Sequence, residues 1–283
     1  MTDSQTIRLG DRAILRVAGP DARHLLQGLL TCEIDALEPA APAHGALLTP
    51  QGKILFEAIV HAEGEDSILL DTCAELADDF AKRLTFYKLR AKATIERADE
   101  LCAVALPGGV AEGLAPDPRL FTLGHRGIVE LTQAETLSDD IAPYHAHRIH
   151  EGIAELGADF VTGDVFPHEA NFDHYAGVSF SKGCFVGQEV VSRMQHRGTA
   201  RKRFVSVAID GTAPAMGSDV KADEKSVGTM GSASAAQGLA LLRLDRINKA
   251  ESVGDALTCE GATLTPSVPE WMAQALAKSG ETA

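Results

Sequence analysis

The sequence predicts an α+β protein of two lobes followed by a small antiparallel β barrel, and three features carry that reading. Strand-like and helix-like segments mix over the first two thirds of the chain without a regular strand–helix–strand rhythm, which argues against a doubly wound sheet. Pro107-Gly108-Gly109 and Pro116-Asp117-Pro118 mark loops in the middle of the chain. From Phe204 onward short apolar runs recur between Gly-rich turns, a spacing that suits a small barrel. The expected division is residues 1–200, with lobes at about 1–100 and 101–200, and a barrel domain at 201–283.

Taken in order, Ala13 to Val17 alternates as a strand, and Gly19-Pro20-Asp21 opens a helix with Leu25, Leu26, Leu29 and Leu30 on its apolar face. His44 to Leu48 and Ile54 to Val60 read as strands around the Pro50-Gln51-Gly52-Lys53 turn, and Ser67 to Leu70 as a third. Ala74 to Phe86 is helical, with Leu76, Phe80 and Leu84 four apart. Tyr87 to Ile95 alternates as a strand, with Leu89, Ala91, Ala93 and Ile95 on one face. Ala103 to Leu106 and Gly127 to Leu131 follow as strands, and Ile141 to His150 as a helix. The barrel strands are expected at Phe204–Ile209, Ser226–Met230, Leu239–Leu244 and Ala256–Cys259, with a short helix and a frayed tail after Pro269.

Composition narrows the function classes. At 283 residues, 45% apolar and 23% charged, the chain suits a soluble globular protein of about two domains. No export signal is read near the start, and no apolar run approaches the ~20 residues of a membrane helix. The cysteines Cys32, Cys73, Cys102, Cys184 and Cys259 are odd in number and far apart, which argues against a disulfide framework, a structural zinc site or a protein-held cluster. A cytoplasmic location is the simplest expectation. A net charge of −14 opposes direct nucleic-acid binding, where phosphate contacts dominate affinity. Against it, Arg193, His196, Arg197, Arg201, Lys202 and Arg203 form one basic run, either a solvated helix end or an anion site.

The organising stretch runs from Phe180 to Gly198. Cys184 lies between Gly183 and Gly187, just ahead of a helical pattern with Val190, Val191 and Met194 on one face. Gly198 suits the helix C′ position, with His196 and Arg197 in the last turn. If the helix starts near Val186 or Gly187, Cys184 lies just outside its N-terminus beside Lys182 and is expected to have thiolate character; the alternative is a small apolar cysteine packed in a turn.

Lys182-Gly183-Cys184-Phe185-Val186-Gly187-Gln188-Glu189 resembles the signature of the YgfZ family of folate-binding proteins, relatives of the glycine-cleavage T-protein and of mitochondrial iron–sulfur assembly factors. Phe166 to Asp173, Lys88 to Lys92, Arg193 to Gly198 and Asp21 to Thr31 resemble the same family, so the likeness runs from about residue 15 to about residue 245. The resemblance implies two lobes around a central folate cleft, a terminal barrel and tetrahydrofolate or another reduced folate as cofactor. Its implied site has Cys184 as the working thiol, with Lys182, Gly183, Gln188, Glu189, Arg193, Arg197, Glu169 and Asn171 toward the folate. Glu169, Asn171, Gln188 and Glu189 have the hydrogen-bonding chemistry of a pterin partner, and equally of helix caps and turns. The T-protein's pterin-holding glutamate aligns with His150, one residue before Glu151.

Four functions follow as expectations. The first is assistance to iron–sulfur enzymes or assembly proteins, with an effect on tRNA thiolation. The second is aminomethyl transfer of the T-protein type, whose acidic pair after a Gly-Gly-Ile turn is here Phe56-Glu57 after Gly52-Lys53-Ile54-Leu55, with Glu57 expected to be an exposed strand residue. The third is a non-catalytic, folate-regulated binding module. The fourth pairs Cys184 with His168, His174 or His196 as a nucleophile and its base.

Overall fold

The computed structural model describes residues 5–198 and 200–273. The chain divides into two compact units, each discontinuous in sequence: Met1–Tyr144 with Phe172–Gln188, and His145–Asn171 with Glu189–Ala283. In chain order the first part contains β1 (Ile7–Arg8), β2 (Arg12–Ala18), α1 (Ala22–Leu29), β3 (Ala43–Leu48), β4 (Ile54–Ala62), β5 (Ser67–Cys73), α2 (Ala77–Lys88), β6 (Thr94–Arg97), β7 (Leu101–Pro107), β8 (Ala115–Pro116) and β9 (Gly124–Glu130). Next come α3 (Ala142–His150) and α4 (Gln188–Arg197). The barrel part has β10 (Lys202–Asp210), β11 (Asp219–Ala222), β12 (Lys225–Ser234), β13 (Gln237–Arg243), α5 (Leu244–Val253), β14 (Leu257–Cys259) and β15 (Ala262–Ser267).

In the first unit the strands form two sheets, ordered β3-β4-β5-β2-β6 and β1-β7-β9-β8. Side chains alternate across a strand, so each sheet has two distinct faces. On the five-stranded sheet, Leu15, Val17, Phe56, Ala58, Val60, Ile68 and Leu70 pack against Leu26 of α1 and Phe80 and Leu84 of α2. Phe56 stacks on Phe80 with ring centroids 4.8 Å apart.

The opposite face is polar and equally buried. Register places His44 opposite Ile59, Ile59 opposite Asp71, and Asp71 opposite Ile14, so His44, Glu57, His61, Asp71 and Arg12 share one side of the sheet. Glu57 is only 3% exposed, against the expectation of a solvated strand residue. The reason is that this face is covered too, by Leu9, Ala103, Ala105 and Tyr144 around Ile14 and Leu69.

Charge pairing makes this burial tolerable. Arg12 Nε donates to Asp71 Oδ1 at 2.6 Å, and Arg126 of β9 donates to the other oxygen of the same carboxylate. Arg119 Nε and Nη2 grip Asp117 at 2.9 and 2.7 Å, and Arg126 Nη1 reaches Asp117 at 3.3 Å. The Tyr144 hydroxyl accepts from Arg119 Nη2 at 2.9 Å.

Of the expected strand Tyr87–Ile95, only Thr94 and Ile95 lie in a strand, at the start of β6. The Leu76, Phe80, Leu84 period carries α2 on to Lys88, Leu89 turns with φ at 47° and is 87% exposed, and pairing with β2 begins only at Thr94. A short alternating run cannot by itself distinguish a strand from a helix end followed by a turn.

In the second unit six strands close a barrel in the order β10-β13-β12-β11-β14-β15. Gly228 is required there, since a Cβ would lie 2.2 Å from the Leu241 carbonyl oxygen. β11, β15 and α5 are additions to the sequence reading. Only Val220 and Ala222 of β11 are buried, and α5 buries Leu244, Ile247 and Ala250 before ending at Gly254. Residues 145–171 belong with the barrel through Arg148, whose Nη1 donates to Asp159 Oδ2 at 2.6 Å while Asp159 Oδ1 accepts from Ser232 N at 2.8 Å. A helical turn follows Pro269 as expected, and the anticipated frayed tail lies outside the described residues.

Removing one partner of a buried pair leaves an uncompensated charge, at a cost of about 3–5 kcal/mol. Asp71→Asn is therefore expected to lower the unfolding free energy by about that much in urea titration. The exposed Arg16–Glu100 pair is the control: Glu100→Gln should leave the midpoint unchanged.

Candidate functional site

The signature loop is tied to the end of α1 through the three residues Leu30 to Cys32. Lys182 is buried, and its Nζ donates to the carbonyl oxygens of Leu30 at 2.7 Å and Cys32 at 2.6 Å. Thr31 Oγ1 donates to Gly177 O at 2.6 Å, and Ser179 N donates to Thr31 O at 2.8 Å. Further along, Phe185 is buried and Val186 packs on the helix-side core. Gly187 has φ of 80°, and a Cβ there would lie 2.6 Å from the Thr49 carbonyl oxygen, so the loop rests directly on the β3–β4 turn.

Between these anchors Gly183 and Cys184 are exposed, and Gly183 has open space where a side chain would go. The helix starts at Gln188, four residues beyond Cys184. Lys182 instead points its ammonium into the interior, where burial lowers its pKa. Gly198 ends α4 with φ of 58°, as a C′ glycine does.

In the second unit several implied folate residues have internal partners. Asn171 is buried with φ of 62°; its Nδ2 donates to Phe204 O at 2.9 Å and its Oδ1 accepts from Arg203 Nη1 at 3.2 Å. Glu169 Oε2 accepts from Phe166 N at 2.8 Å, and His168 Nε2 lies 3.0 Å from Gln195 Oε1. Arg203 is buried and covers the Trp271 ring at 5.3 Å, so the exposed part of the basic run is Arg193, His196, Arg197, Arg201 and Lys202. Glu189 is exposed and Gln188 half-buried. At the aligned pterin position His150 Nδ1 lies 3.3 Å from Gln237 Oε1, and Glu151 is half-buried.

Sequence reasoning passed over the polar face of the first unit. Its signal is a polar residue inside an otherwise apolar strand, as with Glu57 and His61 in Leu55-Phe56-Glu57-Ala58-Ile59-Val60-His61-Ala62. His44 and His61 are 4% and 9% exposed, and His44 Nδ1 and His61 Nε2 have no hydrogen-bond partner. Burial holds both imidazoles neutral, pushing His44 down to about 3 and His61 down to about 4. Among the described residues no group of His, Cys, Asp and Glu is arranged to hold a metal ion, and no helix is long and apolar enough to cross a membrane.

Two measurable outcomes follow. Cys184 is exposed, whereas Cys32, Cys102 and Cys259 are buried and Cys73 is partly so; burial pushes the Cys32 thiol up to about 12. Iodoacetamide at neutral pH should therefore modify Cys184 first in the native protein, and Cys184→Ser should leave the melting temperature nearly unchanged. The histidines set an acid limb. An unfolded imidazole takes up its proton near pH 6.5, while His44 and His61 resist until about 3 and about 4. Stability is thus full above about pH 6.5 and falls as pH drops below it, by up to about 1.4 kcal/mol per pH unit for each imidazole. His44→Phe with His61→Leu should flatten that limb in urea titrations between pH 6.5 and 4.

Comparison with known proteins bears on the whole chain. A family profile described as "CAF17, C-terminal beta-barrel domain" matches residues 201–274. The fold resembles the crystal structure of glycine cleavage system aminomethyltransferase T from Bartonella henselae, with a TM-score of 0.71 over 94% of this chain and 85% of that one at 15% identity. The mitochondrial iron–sulfur cluster assembly factor IBA57 of mouse is 32% identical and that of man 34% identical, each alignment covering 93% of this chain and 84% of the relative. These relatives are mitochondrial by name, which overturns the cytoplasmic expectation; cysteine usage separates oxidising from reducing compartments and nothing finer. With such identity sustained over nearly its full length, the chain belongs to the family of iron–sulfur cluster assembly factor IBA57.

Proposed function

We propose that this protein assists the assembly of iron–sulfur enzymes, binds a reduced folate, tetrahydrofolate, and supports tRNA thiolation through the enzymes it serves. The observation that carries the reading is near-full-length similarity to proteins named iron–sulfur cluster assembly factors. Cys184, exposed on a loop held by buried anchors, is the group offered to iron, sulfur or a partner protein.

The residues present fit a folate. A pterin edge needs hydrogen-bond donors and acceptors, and the half-buried Gln188 and exposed Glu189 supply that chemistry. A glutamate tail needs cations, and Arg193 and Arg197 are exposed. Gln188 and Glu189 are the remaining signature groups free to face a ligand, whereas Lys182, Glu169 and Asn171 act as supports.

Aminomethyl transfer is the weaker reading. Neighbouring strand residues face opposite sides, so Phe56 lies in the helix-side core against Phe80 and only Glu57 stands on the polar face. The transferase's acidic pair is reduced to one acid.

Calorimetry with tetrahydrofolate should give saturable one-site binding, weakened by Glu189→Ala or Arg197→Ala. Cells relying on the Cys184→Ser variant should lose iron–sulfur enzyme activity while the protein stays folded. Aminomethylated lipoyl carrier protein supplied with tetrahydrofolate should yield no methylenetetrahydrofolate above background. A folded sample that binds no folate would sink the folate reading, and robust turnover would replace it with the transferase.

A further inference from the structure

The second unit holds a cleft of about 450 Å³ between the β11–β12 hairpin and α5, and none of its lining residues belongs to the signature loop. Arg246, Lys249, Ala250 and Val253 stand at i, i+3, i+4 and i+7, which places them on one face of α5. Across from them Lys225 and Val227 alternate onto one face of β12. Register sets Ala222 of β11 opposite Lys225. One helix face and one strand face thus form the two walls.

Three properties of this cleft define what it would take. Its buried lining is apolar, from Ala222, Val227 and Ala250, and the two alanines leave space that larger side chains would fill. Val253, in the last turn of α5, extends this apolar surface outward and is 63% exposed. The rim is cationic. Arg246 Nη1 donates to Ser226 O, which ties α5 to the start of β12, and the other N–H groups of that guanidinium have no partner among the described residues. Lys225 and Lys249 are exposed and have no carboxylate partner among the described residues. Asp223 and Asp255 also line the cleft, so three cations stand against two carboxylates, an excess of one positive charge in a chain of net charge −14.

A cleft of this volume suits a small molecule rather than a protein surface. An apolar floor below a cationic rim selects a molecule with an apolar body and an anionic head. The body leaves water against Ala222, Val227 and Ala250, while the head meets Lys225, Lys249 and the uncommitted donors of Arg246. A single negative charge balances the excess on the rim. We infer that this cleft binds an amphipathic monoanion of the class of a medium-chain carboxylate. The site shares no residue with the folate reading above and does not depend on it.

The test uses the full chain with 13C-methyl-labelled valine and two probes with the same apolar body, octanoate and 1-octanol. Octanoate should shift the Val227 and Val253 methyl resonances of the unmodified protein along a saturable curve. Octanol, which lacks the charge, should bind there at least about fivefold more weakly. Lys225→Glu and Lys249→Glu should each weaken octanoate about fivefold and leave octanol unaffected. Both lysines are exposed, so the melting temperature should hold. Unmoved Val227 and Val253 methyls would overturn the site, as would shifts spread over valines throughout the chain without favouring these two. Octanol binding as tightly as octanoate would overturn the anionic head. Should a variant lose its fold, octanoate against octanol on the unmodified protein decides the matter.

Discussion

The bidentate hold of two arginines on Asp71 is the interaction on which the first unit depends. A five-stranded sheet whose two faces are both buried would ordinarily be apolar on both. Here one face carries Arg12, Glu57 and Asp71, and desolvating such charges costs several kcal/mol per ion unless geometry and hydrogen bonding offset it. Arg12 from the same sheet and Arg126 from the neighbouring one meet on Asp71, and Arg126 continues to Asp117 and Arg119. The network thus links β9 of the second sheet to β5 of the first. It also sets the conditions for its neighbours: burial keeps both imidazoles neutral, and guanidinium charge adds to it, from Arg119, Arg126 and Arg12 at His44 and from Arg126 at His61.

The signature loop follows a different logic. Its exposed thiol is held by groups that are themselves hidden: Lys182 on two carbonyl oxygens, Phe185 in the interior and Gly187 against the β3–β4 turn. A buried ammonium on neutral carbonyls is sensitive to substitution, since its loss leaves two acceptors unsatisfied. The signature therefore combines one presented residue with several that hold it, and composition of the octet alone does not separate the two. Thr31, far away in sequence, belongs to the same device.

Much was legible in the residues themselves. The absence of a strand–helix rhythm, the Leu76, Phe80, Leu84 period, the C′ glycine at Gly198 and the Gly-punctuated runs after Phe204 all reflect local rules of backbone geometry and periodicity. Those rules act within a few residues, so a sequence displays them directly. The alternating Tyr87–Ile95 run misled because a helix end and a strand share such a pattern over so short a span. α5 was hidden by a polar surface that leaves only three buried positions.

What tertiary structure alone decided is which polar groups face each other. Glu57 reads as a solvated strand residue until a second sheet covers it, and Lys182 reads as a neighbour of Cys184 until its ammonium is seen on Leu30 and Cys32. Asn171 and Glu169 read as ligand contacts until their partners prove to be Phe204, Arg203 and Phe166. Lys182 meets partners about 150 positions away, and Arg126 meets Asp71 across 55. The sequence determined the elements and the exposed thiol's motif because propensity and period are local. Burial and charge pairing are long-range, and only the packed chain brings those partners within a hydrogen bond of one another.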